Sequence, residues 1–173
     1  MIMKLRLKDI VILSLIAALM TVSDFAMEAL PNIHLVGVFT VIATAVYRKY
    51  ALLSIYVYAF IQGVLGGFNL WWIPYLYVWT ILWGAVMLVP KRIPDKYKYV
   101  LYIALCAAHG FLFGILYAPT QALIFGLDFN GMLAWIAAGL TFDAIHGVSN
   151  LVLGAALIYP AVKILKSTNK YAK

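Results

Sequence analysis

The sequence predicts an all-α, polytopic membrane protein: one domain of six transmembrane helices, with the N- and C-termini both cytoplasmic. Three observations lead there. Of 173 residues, 66% are hydrophobic and only 11% charged, with a mean hydropathy of +0.99, too little polar surface for a soluble domain of this size. Long apolar runs alternate with short links that carry charge, Pro or Gly, as in a chain that crosses a bilayer repeatedly. The basic residues fall in four clusters: Lys4, Arg6 and Lys8; Arg48 and Lys49; Lys91, Arg92, Lys96 and Lys98; and Lys163, Lys166, Lys170 and Lys173. Six crossings put all four clusters on one side, which the positive-inside rule makes cytoplasmic.

The same distribution accounts for the net charge of +7 as topology anchors beside anionic lipid. No aromatic-interleaved basic surface points to nucleic acid. The single cysteine, Cys106, excludes an internal disulfide and a Cys-based metal cluster. No cofactor or metal is expected.

The first helix is expected over residues 9–29. It has no small-residue cleavage site and ends in Asp24 and Glu28, so it reads as a retained span and not a signal peptide. Its inner half carries Ser14, Ala17, Ala18 and Thr21, small residues within roughly 100° that allow close helix approach. Asp24 and Glu28 lie one turn apart; they either meet a cation or polar ligand group, or lie in the outer headgroup zone. Leu30-Pro31-Asn32-Ile33-His34 reads as an outer turn. The second helix, 35–47, is short against the ~20 residues of a full span. Tyr47 to Tyr50 forms a tight inner turn, and the third helix, 51–67, ends in Gly66-Gly67, an outer loop.

The fourth helix, 71–89, holds Trp71, Trp72, Tyr75, Trp79 and Trp83. An interfacial aromatic belt accounts for the first two. Trp79 and Trp83 lie deeper, either as packing or as a stacking wall for a flat ligand. The fifth helix, 99–118, carries His109 at mid-depth, where an interhelical hydrogen bond is its simplest use. After Pro119, the stretch 120–135 with Gln121, Asp128 and Asn130 is expected as an outer loop or interfacial helix that caps the bundle as a lid. The sixth helix, 139–165, aligns Gly139, Asp143, His146, Gly147, Asn150 and Gly154 on one narrow face. Ionisable groups there need a cavity or a partner, so this face is a binding wall or an interhelical clasp. The outer half thus reads as a pocket with aromatic walls, and the inner half offers little polar path.

The size, six helices with both ends inside, the small residues Ser14, Ala17, Ala18 and Thr21, and the Asp143-x-x-His146-x-x-x-Asn150 pattern resemble the substrate-binding S component of energy-coupling factor (ECF) transporters, a family of ATP-driven vitamin importers. The resemblance covers nearly the whole chain. It implies a prokaryotic plasma-membrane subunit that is not itself an enzyme and captures a small vitamin-like solute near the outer face. Tyr75, Trp79 and Trp83 would stack on a planar heterocycle, Asp143, His146 and Asn150 would hold its polar edge, and Trp72, His109, Asp128 and Asn130 would complete the site. It also implies that the small residues of the first helix dock on a transmembrane coupling protein driven by two cytoplasmic ATPase subunits. The chain has no GxxxxGK[ST] run, so partners would hydrolyse the ATP. Family members often show Ala-x-x-x-Ala where this chain has Ser14-x-x-x-Ala18 and Ala17-x-x-x-Thr21. On a straight wheel these residues also share a face with Asp24 and Glu28. The alternatives are a self-sufficient ion-coupled transporter with Asp143 and His146 as a proton relay, and a non-transporting scaffold. No HExxH or other catalytic spacing is present.

Overall fold

The computed structural model describes residues 5–170, all of whose regular structure is helical. In order, the α-helices are α1 (Leu7–Ala26), α2 (Val36–Tyr47), α3 (Ala51–Gly66), α4 (Val78–Leu88), α5 (Asp95–Phe111), α6 (Phe113–Phe125) and α7 (Phe129–Lys170), with 3-10 segments at Arg48–Tyr50 and Leu70–Leu76. Five helical runs are long and apolar enough to cross a membrane: 7–26, 36–66, 70–88, 95–125 and 129–168. The second of these is interrupted at Arg48, where φ of 53° and ψ of −120° turn the chain out of the helical path. The expected basic anchors Lys4 and Lys173 lie outside the described residues.

The short α2 is the hub of the bundle. It is apolar on every side, and a helix of that kind belongs in an interior; nine of its twelve residues are buried. Val36, Ala43 and Tyr47 join a core with α1, α3 and Trp79. Val38, Val41 and Ile42 join a second core with α4, α5 and α7. Its length therefore suits a surrounded helix.

The most extensive helix pair is α5 with α7, and glycine makes it possible. A Cβ on Gly110 would stand 2.9 Å from the Gly147 backbone nitrogen and Cα, so only hydrogen at that position lets the two backbones meet. Asn150 Nδ2 donates to Cys106 O beside this contact at 3.2 Å.

The basic residues gather at one end. Lys8 Nζ donates to Thr168 O at 2.8 Å, and Asp95 lies 3.2 Å from Lys98 and 3.8 Å from Lys166. The start of α1, the start of α5 and the last turns of α7 therefore sit together. Arg48 belongs to the same end as the last turn of α4, since its guanidinium donates to Met87 O at 2.7 Å.

Several expected boundaries are corrected: the first helix spans 7–26 instead of 9–29, and the fifth starts at Asp95 instead of 99 and breaks at Leu112. Of the two forms expected for the stretch 120–135, the structure excludes the loop and shows helix: α6 continues through Pro119 to Phe125, and α7 begins already at Phe129 instead of 139. Proline removes one backbone bond from α6. The Tyr77 hydroxyl ties that weakened turn to the preceding connection by donating to Leu116 O at 2.8 Å. Gly126 then closes α6 in the left-handed region at φ 64°, and Asp128 Oδ1 accepts from Gly131 N at 2.7 Å to start α7. The helix expected over 71–89 is also broken, at Tyr77, into the Pro74-containing 3-10 segment and α4.

Candidate ligand-binding site

At the end of the bundle opposite the basic clusters lies a cavity of about 610 Å³. The last turn of α1, the connection 27–34 and the end of α3 form its rim, and Tyr75, Phe113, His34 and His146 line its depth. Asn32 holds the connection in a left-handed turn at φ 57°, a conformation Asn tolerates better than most residues. A second cavity of about 450 Å³ shares Asn32, Tyr75 and Phe113 and is walled further by Trp71, Tyr117, Trp135 and Asp143.

Beneath the first cavity the structure brings together all three histidines of the chain. The His34 and His146 rings are 4.5 Å apart at centroid. Trp79 contacts His34 at 5.7 Å and His109 at 5.5 Å, and Phe113 contacts His146 at 5.0 Å. His109 Nε2 donates to Val78 O at 2.9 Å, which pins α5 to the first residue of α4. The ring atoms His34 Nδ1, His146 Nε2, His109 Nδ1 and Trp79 Nε1 are buried with no protein partner. Burial holds the His34 imidazole down to about 4, against an ordinary value of 6.5. The His34 ring is therefore neutral at physiological pH.

On the opposite wall Asp24 is half-buried. Its Oδ2 accepts from both Tyr58 Oη and Gln62 Nε2. Tyr58 and Gln62 are four residues apart on α3 and so share a face; both are buried. Tyr58 lies nearly parallel to Tyr75, at 6.3 Å and 20°.

The buried face expected on the last helix is present: Asp143, His146 and Asn150 are 4%, 1% and 0% exposed. Its members divide by use. Both Asp143 carboxyl oxygens accept from Gly114 N, at 3.0 and 3.1 Å, which sets a side-chain acceptor on the N-terminus of α6. Asn150 clasps α5. Of the three, His146 alone lines the larger cavity.

The other expected site residues scatter. Tyr75 lines both cavities. Trp79, 1% exposed, stands behind the wall inside the aromatic cluster. Trp72 is a strut whose Nε1 donates to Ala59 O at 2.6 Å. Trp83 is remote from the cavity, because its Nε1 donates to Arg48 O at 3.0 Å at the basic end. Asp128 and Asn130 are exposed at the α6–α7 turn, where Asp128 serves as the helix cap. Along α1, Ala17 and Thr21 are buried, whereas Ser14 and Ala18 are exposed, so the four small residues do not share one surface. That division also removes the competition with Asp24, which follows the Ala17 face.

Sequence reasoning missed Tyr58, Gln62 and Phe113. A lone glutamine in an apolar helix, one turn from a tyrosine, is the signal that could have found the first two. Compared with protein-family models, curated proteins and solved structures, the chain matches none.

Proposed function

We propose that the chain is the membrane-embedded, substrate-binding S component of an ECF-type importer, which takes up a small vitamin-like solute from outside the cell. The observation that carries this reading is the cavity of about 610 Å³ at the end away from the basic clusters. It is large enough for a small organic solute and combines aromatic walls with a few convergent polar groups, as ligand sites do. His34 and His146, which line it, each carry a buried ring nitrogen without a protein partner, and such groups favour a ligand that supplies one. The opposite half of the bundle is closed by packed Val, Ile and Leu side chains, which suits a binder more than a channel.

In this reading the reversal at Arg48 splits the 36–66 run into two crossings, α5 and α6 together make one, and six crossings leave both termini cytoplasmic. The exposed pair Ser14 and Ala18 on α1 is the docking point for the transmembrane coupling protein with its two ATPases, in a prokaryotic plasma membrane. Asp143 and Asn150 act as interhelical clasps behind the site.

The test is mass spectrometry of small molecules released from gently solubilised, purified protein, together with co-purification of an ATPase module. A stoichiometric solute and a bound module support the proposal. The clasps of Asp143 and Asn150 equally suit a non-transporting scaffold; an empty protein with no module would favour that. Uptake driven by a proton gradient in vesicles without ATPases would favour the ion-coupled alternative through Asp143 and His146.

A further inference from the structure

We infer that the cavity selects an organic cation, with Asp24 as the counter-charge that receives its positive or hydrogen-bond-donating group. The inference rests on the binding-subunit reading and adds the charge of the cargo to it.

Asp24 and Glu28 are the charged residues that line this cavity, and no Lys or Arg lines it among the described residues. The basic residues gather at the far end, and Asp24 has no ion pair among the described residues. Glu28 is exposed in the connection just past the end of α1, where it adds negative potential to the mouth and raises the local concentration of cations. An anionic solute would meet two carboxylates and no opposite charge, an arrangement that rejects it.

The carboxylate is also oriented. Tyr58 and Gln62 both donate into Oδ2, which leaves Oδ1 without a protein donor among the described residues. Two neutral donors hold the group in place without neutralising it. A third, charged donor from a ligand completes the coordination of a half-buried carboxylate, and charge-assisted bonds are the stronger kind.

A second, independent observation points to the same ligand. His146 is 1% exposed, lines the same cavity, and its Nε2 has no partner. His34 Nδ1, on the ring beside it, is likewise unpartnered. A flat molecule set between Tyr75 and the histidine pair would present its ring to the Tyr75 face, which favours positive charge, and its polar edge to the imidazole nitrogens. The volume and the aromatic lining fit an organic molecule. Among the described residues no three His, Cys, Asp or Glu side chains are placed to hold a metal ion.

The experiment uses the full chain in lipid nanodiscs and a low-molecular-weight cell extract split into cation-exchange, anion-exchange and unretained fractions. Thermal stabilisation identifies the active fraction, mass spectrometry identifies the captured compound, and its affinity is then measured on wild type and Asp24→Asn. Capture from the cation-exchange fraction, with affinity about tenfold to hundredfold weaker in Asp24→Asn, is the expected result. Capture from either other fraction, or an unchanged affinity in Asp24→Asn, overturns the charge assignment and leaves the binding-subunit reading standing. Capture from no fraction overturns that reading and this inference with it. If Asp24→Asn does not fold, Tyr58→Phe replaces it: it removes one orienting donor and is expected to weaken binding about fivefold, with unchanged affinity again counting against the assignment.

Discussion

The contact between α5 and α7 can be tested by adding one carbon to it. In Gly110→Ala the new methyl would stand 2.9 Å from the Gly147 N and Cα and from Asn150 Nδ2. Carbon contacts are comfortable at about 3.5–4.0 Å, so the helices must separate by roughly 0.6–1 Å. Two of the three obstructing atoms are backbone, and no rotamer change relieves them. Overpacking of this kind costs about 1–3 kcal/mol. Separation also stretches the Asn150–Cys106 bond from 3.2 Å towards breaking, a further loss of about 0.5–1.5 kcal/mol. Alanine's better helix propensity returns about 1 kcal/mol, which leaves a net destabilisation of about 0.5–3.5 kcal/mol. The matched control is Gly84→Ala in α4, where an added Cβ meets nothing within 4 Å; there the propensity gain acts alone and the variant should be as stable as wild type or up to about 1 kcal/mol more stable. Unfolding of the purified protein in mixed micelles of rising sodium dodecyl sulfate content, followed by tryptophan fluorescence, measures both. If Gly110→Ala proves as stable as Gly84→Ala, the close approach of α5 and α7 is refuted.

Asp143→Ala strips the N-terminus of α6 of its acceptor and should cost about 1–3 kcal/mol in the same assay; Asp143→Asn keeps a carbonyl oxygen there and should recover most of it. Equal losses in the two variants would deny the capping role. The His34 imidazole is held to about 4 in the folded state against 6.5 when free, so the unfolded chain binds more protons between those values. Stability from this group is complete above about pH 6.5 and falls as the pH drops through the window, by about 2 kcal/mol at pH 5. Melting midpoints should therefore fall between about pH 7 and pH 5, and fall less in His34→Gln; identical pH profiles in both proteins would exclude His34 as a source. For topology, a cysteine at Asn69 in a Cys106→Ala background should react with an impermeant thiol reagent on intact cells, and one at Asp95 only after permeabilisation. The reverse pattern would invert the orientation and place the cavity on the inner face.

The particular residues show where sequence reasoning ends. Asp143, His146 and Asn150 were legible as one face because helical periodicity alone aligns them, and that face is buried. The uniformly apolar run of α2 marked a segment suited to an interior. Helicity and apolar spans needed only composition and the spacing of charged links. Pro119 misled, because a proline that ends a helix in isolation can be absorbed where surrounding structure holds the weakened turn, as Tyr77 does by bonding the adjacent Leu116 carbonyl. The small residues of α1 misled in a different way: their angular spread was readable, but the line between the packed and open faces runs through it.

What the sequence by itself determined is therefore each helix's own pattern: where it is apolar, which residues share a face, and which end carries the positive charge. Only the tertiary structure decided which faces meet. It set Trp83 on Arg48 at the far end and Trp72 on Ala59, and it used Asp128 as a cap. It gathered His34, His109 and His146 around Trp79, and turned Tyr58 and Gln62 onto Asp24. The physical reason is that periodicity is local, whereas pairing depends on how closely backbones approach. In this bundle that approach is governed by glycines such as Gly110 and Gly147 and by hydrogen bonds between residues far apart in the chain.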